Sequence, residues 1–157
     1  MGELSLEQRV ARLEAGDRIR AMKALYCDLC DRGYDPDGLA ALFAEDAVWD
    51  GGIFGRYEGR AAIYEFFKGI SGTLTFAAHL VMNPIITVID DDTATGQWRL
   101  WQPVTATEPS GPVSKILVAA YEDIYVQIEG QWLYKSLTLT VNFFEPLSEG
   151  WARTAVP

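Results

Sequence analysis

The chain has 157 residues, 49% hydrophobic and 22% charged, which is the size and make-up of one globular domain with its own core. A formal net charge of −9 excludes the basic surface that nucleic acids require and disfavours an anionic membrane surface. No apolar run approaches the roughly 18 residues of a membrane span. The charged N-terminus has no signal-peptide core, so a cytoplasmic location is expected.

Residues 5–32 have helical spacing, with Ile19, Met22, Leu25, Tyr26 and Leu29 on one apolar stripe. The segment "DRGYDPDG" carries Gly33, Pro36 and Gly38 and stops that helix. "LAALFAEDAVWDG" predicts a short helix and then a strand through Val48 and Trp49. "GGIFGRYEG" reads as a turn-rich hairpin or loop, and "RAAIYEFFKGIS" as a helix with Ile63, Phe66 and Phe67 on one side.

From residue 73 onward the chain turns β-branched and aromatic. "LTFAAHLVMNPIITVID", "TATGQWRLWQPVTAT", "VSKILVAAYEDIYVQIE" and "GQWLYKSLTLTVNFFEP" read as four long strands. "IDDDTATG" and "IEGQ" predict tight connections and "TEPSGPVS" a longer one. Helices followed by an antiparallel meander make the class α+β, with helices covering one face of the sheet. The alternation in "QWRLWQ" places Trp98, Leu100 and Gln102 on one face, Arg99 and Trp101 on the other. An outer face so aromatic predicts a second subunit against it.

The two cysteines, Cys27 and Cys30, form a C-x-x-C within a helical stretch. A thioredoxin-like motif follows a strand, and a zinc site needs a second ligand pair, so both thiols read as packing residues. The acids of "IDDD" cannot all face one ion and read as a solvated turn; no metal is expected.

His79, the chain's one histidine, leads the strand "HLVMNPIITV". An imidazole is the side chain best matched to proton transfer near neutral pH, and a carboxylate on its other nitrogen fixes the tautomer. The alternative is a core histidine capped by its neighbours. Asp31 lies about 140° from Tyr26 at 100° per residue, so helical spacing alone predicts a solvated carboxylate. Asp28 and Asp35 compete for the same role.

The order helix, helix, "FAEDAVWDG", "YEGRAAIYEFF", a histidine-led strand and three long strands resembles the SnoaL-like branch of the nuclear transport factor 2 fold. "TATGQWRL" and "YEDIYVQIEGQWLYKSL" belong to the same likeness, which covers nearly all of residues 1–157 as a single domain, with 146–157 as a C-terminal tail. Within the branch the sequence is most similar to the bile-acid dehydratase and lindane dehydrochlorinase type, with scytalone dehydratase more distant. That resemblance implies a curved sheet around a cone-shaped pocket, no cofactor, and a catalytic His–Asp pair corresponding to His79 and Asp31, with Tyr26 beside them. It departs from the pattern at Gln102, where an acid is expected, at "YVQIEG", which lacks the pocket arginine, and at "DGG", which lacks a tyrosine.

On this reading Trp49, Leu74, Trp98, Leu100, Gln102, Tyr121, Asn142 and Phe143 form the wall that holds a hydrophobic, oxygenated aromatic or polycyclic small molecule. His79 is the base, Asp31 orients it, and Tyr26 or Gln102 assists the leaving group. Elimination of water comes first, with retro-aldol cleavage and isomerisation using the same proton transfers. A non-catalytic ligand-binding or assembly domain is the contrasting reading. A homo-oligomer is expected, trimer ahead of dimer, as in related dehydratases. Leu147 and Trp151 make the tail apolar, which predicts that it folds over a pocket mouth with Trp151 as anchor.

Overall fold

A computed structural model describes residues 3–150. The expected anchoring of the tail by Trp151 lies outside the described residues.

Helix α1 (Leu6–Asp31) opens on a capping box: Ser5 accepts from the Gln8 backbone, and the Gln8 side chain accepts from the Ser5 N–H. Its first turns are exposed; from Ala15 onward Ile19, Met22, Tyr26 and Cys30 recur at helical spacing and are buried. Leu25, placed on that stripe by spacing, is 46% exposed instead. The helix ends where Gly33 and Tyr34 adopt positive φ, 103° and 61°, and turn the chain back so that the Tyr34 N–H reaches the Leu29 carbonyl. Helix α2 (Pro36–Ala41) follows, with Asp35 as its N-cap and proline in its first turn.

Strand β1 (Phe43–Asp50) and β2 (Arg56–Glu58) form a hairpin around a 3₁₀ turn at Gly52–Phe54. Helix α3 (Arg60–Ile70) buries Ile63 and Phe67 against the sheet, and Phe66 packs half-buried beside them. Truncating Phe67, which is 1% exposed, to alanine would cost about 3–5 kcal/mol.

Strands β3 (Leu74–Ala77), β4 (Leu80–Val88), β5 (Thr93–Glu108), β6 (Gly111–Ile128) and β7 (Gln131–Pro146) complete a seven-stranded, strongly curled half-barrel ordered β2-β1-β7-β6-β5, with β3 and β4 both on β5. The helices cover its concave face, as the α+β class predicts. All strand pairs are antiparallel except β1 with β7. Pro146 ends β7, as proline's missing donor predicts.

Three expectations change. The run from residue 73 is two strands, not one, because at Ala78 and His79 the chain leaves the regular ladder. The connection at "TEPSGPVS" is a tight two-residue turn, because β5 and β6 stay paired as far as Glu108 and Gly111. A bulge leaves Asn142 as the extra residue between the Ala119–Val141 and Val118–Phe143 pairs. That bulge turns Phe144, rather than Phe143, toward the core, where its ring meets Phe54.

Candidate active site

The break between β3 and β4 sets His79 against the C-terminal end of α1. Asp31 is the last residue of that helix. Its two carboxylate oxygens accept the His79 backbone N–H at 3.0 Å each, and Oδ1 lies 2.6 Å from ring Nδ1. The carboxylate thus replaces the ladder partner that the strand lacks at this point. Neither Asp28 nor Asp35 does so: Asp28 meets Arg32, and Asp35 caps α2.

A carboxylate can only accept, so the Nδ1 of His79 carries the proton and Nε2 keeps its lone pair. The imidazole is 5% exposed and the Asp31 side chain 31%, which puts the ring inside and the carboxylate at the rim. A negative charge in the last turn of a helix opposes the macrodipole by about 0.3–1 kcal/mol, and no basic residue offsets it there. The hydrogen bonds from the His79 backbone and ring offset it instead.

Helical spacing alone predicts a solvated Asp31. The aspartate reaches His79 without a kink because it closes the helix and the strand break is brought to it.

His79 lines a cavity with Tyr26, Tyr34, Trp49, Gln102 and Tyr121, closed by Leu74, Phe66 and neighbouring apolar side chains. It offers about 40 Å³ to the centre of a water molecule, room for a few waters, so a larger ligand must displace side chains of its wall. The Tyr26 hydroxyl accepts the Trp49 Nε1–H at 3.0 Å and meets the Cys30 thiol, and its ring stands edge-on to His79. Burial pushes the Tyr26 and Tyr34 phenols well above their ordinary range, so both stay protonated; Gln102 hydrogen-bonds the Tyr34 hydroxyl.

Of the wall residues expected from sequence, Trp49, Leu74, Gln102 and Tyr121 line this cavity. Trp98 and Leu100 share their buried face but do not reach it, because Trp98 Nε1 donates to the Tyr125 hydroxyl at 3.1 Å and Leu100 lies within the core. Asn142 and Phe143 stand outside it, displaced by the β7 bulge. Sequence reasoning missed Tyr34, Leu117, Leu139 and the Phe54 and Phe66 side of the wall. Leu117 shares the alternation of Tyr121 and was open to detection; Tyr34 owes its place to a left-handed backbone that no local pattern announces.

Also missed is a buried ion pair, Lys23 with Asp123, at 2.9 Å. Lys23 falls on the same stripe as Ile19 and Tyr26, and Asp123 alternates with Tyr121 and Tyr125, so both charges could be placed inward from spacing. The acids at residues 90–92 form a turn in which Asp90 accepts the Asp92 N–H. Among the described residues no group of three or more His, Cys, Asp or Glu side chains is placed to hold a metal ion, and no helix is long and apolar enough to cross a membrane.

No curated protein matches the chain by sequence. Solved structures do match. A scytalone dehydratase candidate from Novosphingobium aromaticivorans is 24% identical, with TM-score 0.80 over 95% of this chain and 96% of its own. A hexachlorocyclohexane dehydrochlorinase, LinA type 2, is 19% identical, with TM-score 0.82 over 95% and 97%. The LinA type 3 enzyme from Novosphingobium barchaimii is 20% identical, with TM-score 0.79 over 95% and 99%. These likenesses establish a shared nuclear transport factor 2-like fold. The SnoaL-like domain matches residues 11–138, most of the sequence, and the chain belongs to that family.

Proposed function

We propose that this protein is a cofactor-independent lyase that eliminates water from a hydrophobic, oxygenated aromatic or polycyclic small molecule. The observation that carries the reading is the carboxylate-bound imidazole at a cavity wall: Asp31 on Nδ1, with Nε2 left as base. The His79 Nε2 takes a proton from carbon beside the leaving group, and Asp31 stabilises the imidazolium that forms. The carbon–oxygen bond then breaks as the double bond forms, and the imidazolium returns the proton to the departing hydroxide, giving water and the neutral base. Gln102 and Tyr34 supply the polar end that fixes a substrate oxygen, while Tyr26 holds Trp49 and hydrogen-bonds the departing oxygen without giving up its proton. Retro-aldol cleavage and isomerisation use the same base.

The names of the solved neighbours, a dehydratase candidate and dehydrochlorinases, are elimination chemistry and support the class. The carboxylate on Nδ1 at a cavity wall supports this reading over a purely ligand-binding role, in which backbone carbonyls would cap the ring. The protein acts in the cytoplasm, as a homo-oligomer, trimer ahead of dimer. The test is a screen of hydroxylated aromatics and steroids for loss of water, with His79→Ala as control. Turnover in the wild type that the variant lacks is expected; equal turnover in both overturns the assignment.

A further inference from the structure

Resting on the lyase reading above, we infer that Tyr121 donates the hydrogen bond to the oxygen that gains negative charge in the reaction, and that buried Lys23 is the positioning residue that polarises it. Lys23 lies one turn before Tyr26 on α1 and is 1% exposed. Its Nζ is 2.9 Å from Asp123 Oδ2 and 3.4 Å from the centroid of the Tyr121 ring.

A buried ion pair is weak evidence of a stabilising role. Desolvating two charges costs several kcal/mol each, and well-packed apolar replacements of buried pairs are often neutral or stabilising.

The pair has a direction. Asp123 lies at the back, where its Oδ2 also accepts the Tyr125 hydroxyl at 2.7 Å, and Tyr125 in turn accepts from Trp98. The ammonium lies at the front, against Tyr121, which lines the cavity together with His79. The ammonium therefore sits against the face of a ring that lines the cavity where the base acts. In a water-excluded site such a fixed charge acts with little screening. A cation on the ring face withdraws electron density and makes the phenol a stronger donor.

Burial is the largest reason that the Tyr121 phenol titrates well above its ordinary range, so the O–H is present throughout the working pH range. Tyr121 keeps its proton throughout the reaction. The proton removed from carbon passes from His79 Nε2 to the departing hydroxide, giving water, and the hydrogen bond from Tyr121 stabilises the enolate oxygen.

The probe is 4-nitrophenol, a flat aromatic whose anion is read by its visible absorbance. Wild-type protein is expected to bind it and to raise the bound phenolate fraction at least tenfold over solution at the same pH. Tyr121→Phe, which keeps the ring on Lys23, should reduce that enrichment tenfold or more, in the wild type and in a His79→Gln background alike. The double variant Lys23→Met/Asp123→Leu, which leaves no lone charge, should reduce it similarly while remaining folded. Unchanged enrichment in Tyr121→Phe, or no binding by the wild type, overturns the inference. Failure of the lyase reading is a different result, turnover that survives His79→Ala.

Discussion

Asp31 and His79, 48 positions apart in sequence, are joined through both the backbone and the ring of the histidine: one carboxylate accepts the amide N–H and the Nδ1–H. The contact does two jobs. It ends α1 and starts β4, and it fixes which imidazole nitrogen carries the proton. Asp31→Asn keeps the shape but removes the charge and lets the ring take the wrong tautomer. On a substrate found by the elimination screen, kcat should fall by about 10²–10⁴-fold with KM changed little. A variant that retains wild-type kcat would reduce Asp31 to a cap.

The Lys23–Asp123 pair separates stability from function. Removing one partner, as in Lys23→Met, leaves a buried carboxylate alone and should cost about 3–5 kcal/mol. The apolar double variant should recover most of that loss. Denaturant unfolding of both variants checks this; a double variant as unstable as the single one would contradict it.

Burial pushes the Cys27 thiol up to about 12. At pH 8 the folded protein should then hold far less thiolate at this position than a free cysteine, whose pKa is about 8.5. Because the folded value is raised, the stability contributed by the neutral thiol is fully present below about pH 8.5 and is lost as pH rises toward 12. A disulfide reagent should label Cys27 only after denaturation. Rapid labelling of native protein at pH 8 would contradict this burial.

The outer side of the sheet carries Leu80, Met82 and Ile85 on β4 and Ile124 on β6, each at least 42% exposed. A patch of that kind favours self-association. Light scattering should give a multiple of the 17.4 kDa chain, three times rather than twice, and Ile124→Glu should lower it. A monomer at micromolar concentration would contradict the oligomer.

The sequence made the architecture legible through its periods: the 3.6-residue stripe of Ile19, Met22 and Tyr26, and the alternation of Trp98, Leu100 and Gln102, emerge as buried faces. The strand break at His79 was not legible, because its cause is a carboxylate 48 positions away. Asp31 was placed by family likeness against its helical angle, which describes a mid-helix residue and not the last one. Phe143 was misplaced because one extra residue at Asn142 reverses the alternation after it. Tyr34 reaches the cavity only through its left-handed backbone, which glycine adopts readily and tyrosine rarely does. Local patterns carry the elements; the site depends on where those elements fail to continue.

The most direct test of the account is the protonation of the His79 ring, which is the chain's one histidine and so gives one set of imidazole signals. Long-range ¹H–¹⁵N correlation spectra of ¹⁵N-labelled protein, recorded at a pH where the ring is neutral, distinguish the two nitrogens. The account predicts a proton on Nδ1, held by Asp31, and an unprotonated Nε2 facing the cavity, with this preference lost in Asp31→Asn. A neutral ring protonated on Nε2 in the wild type would contradict it, since the nitrogen at the cavity would then have no lone pair with which to act as a base.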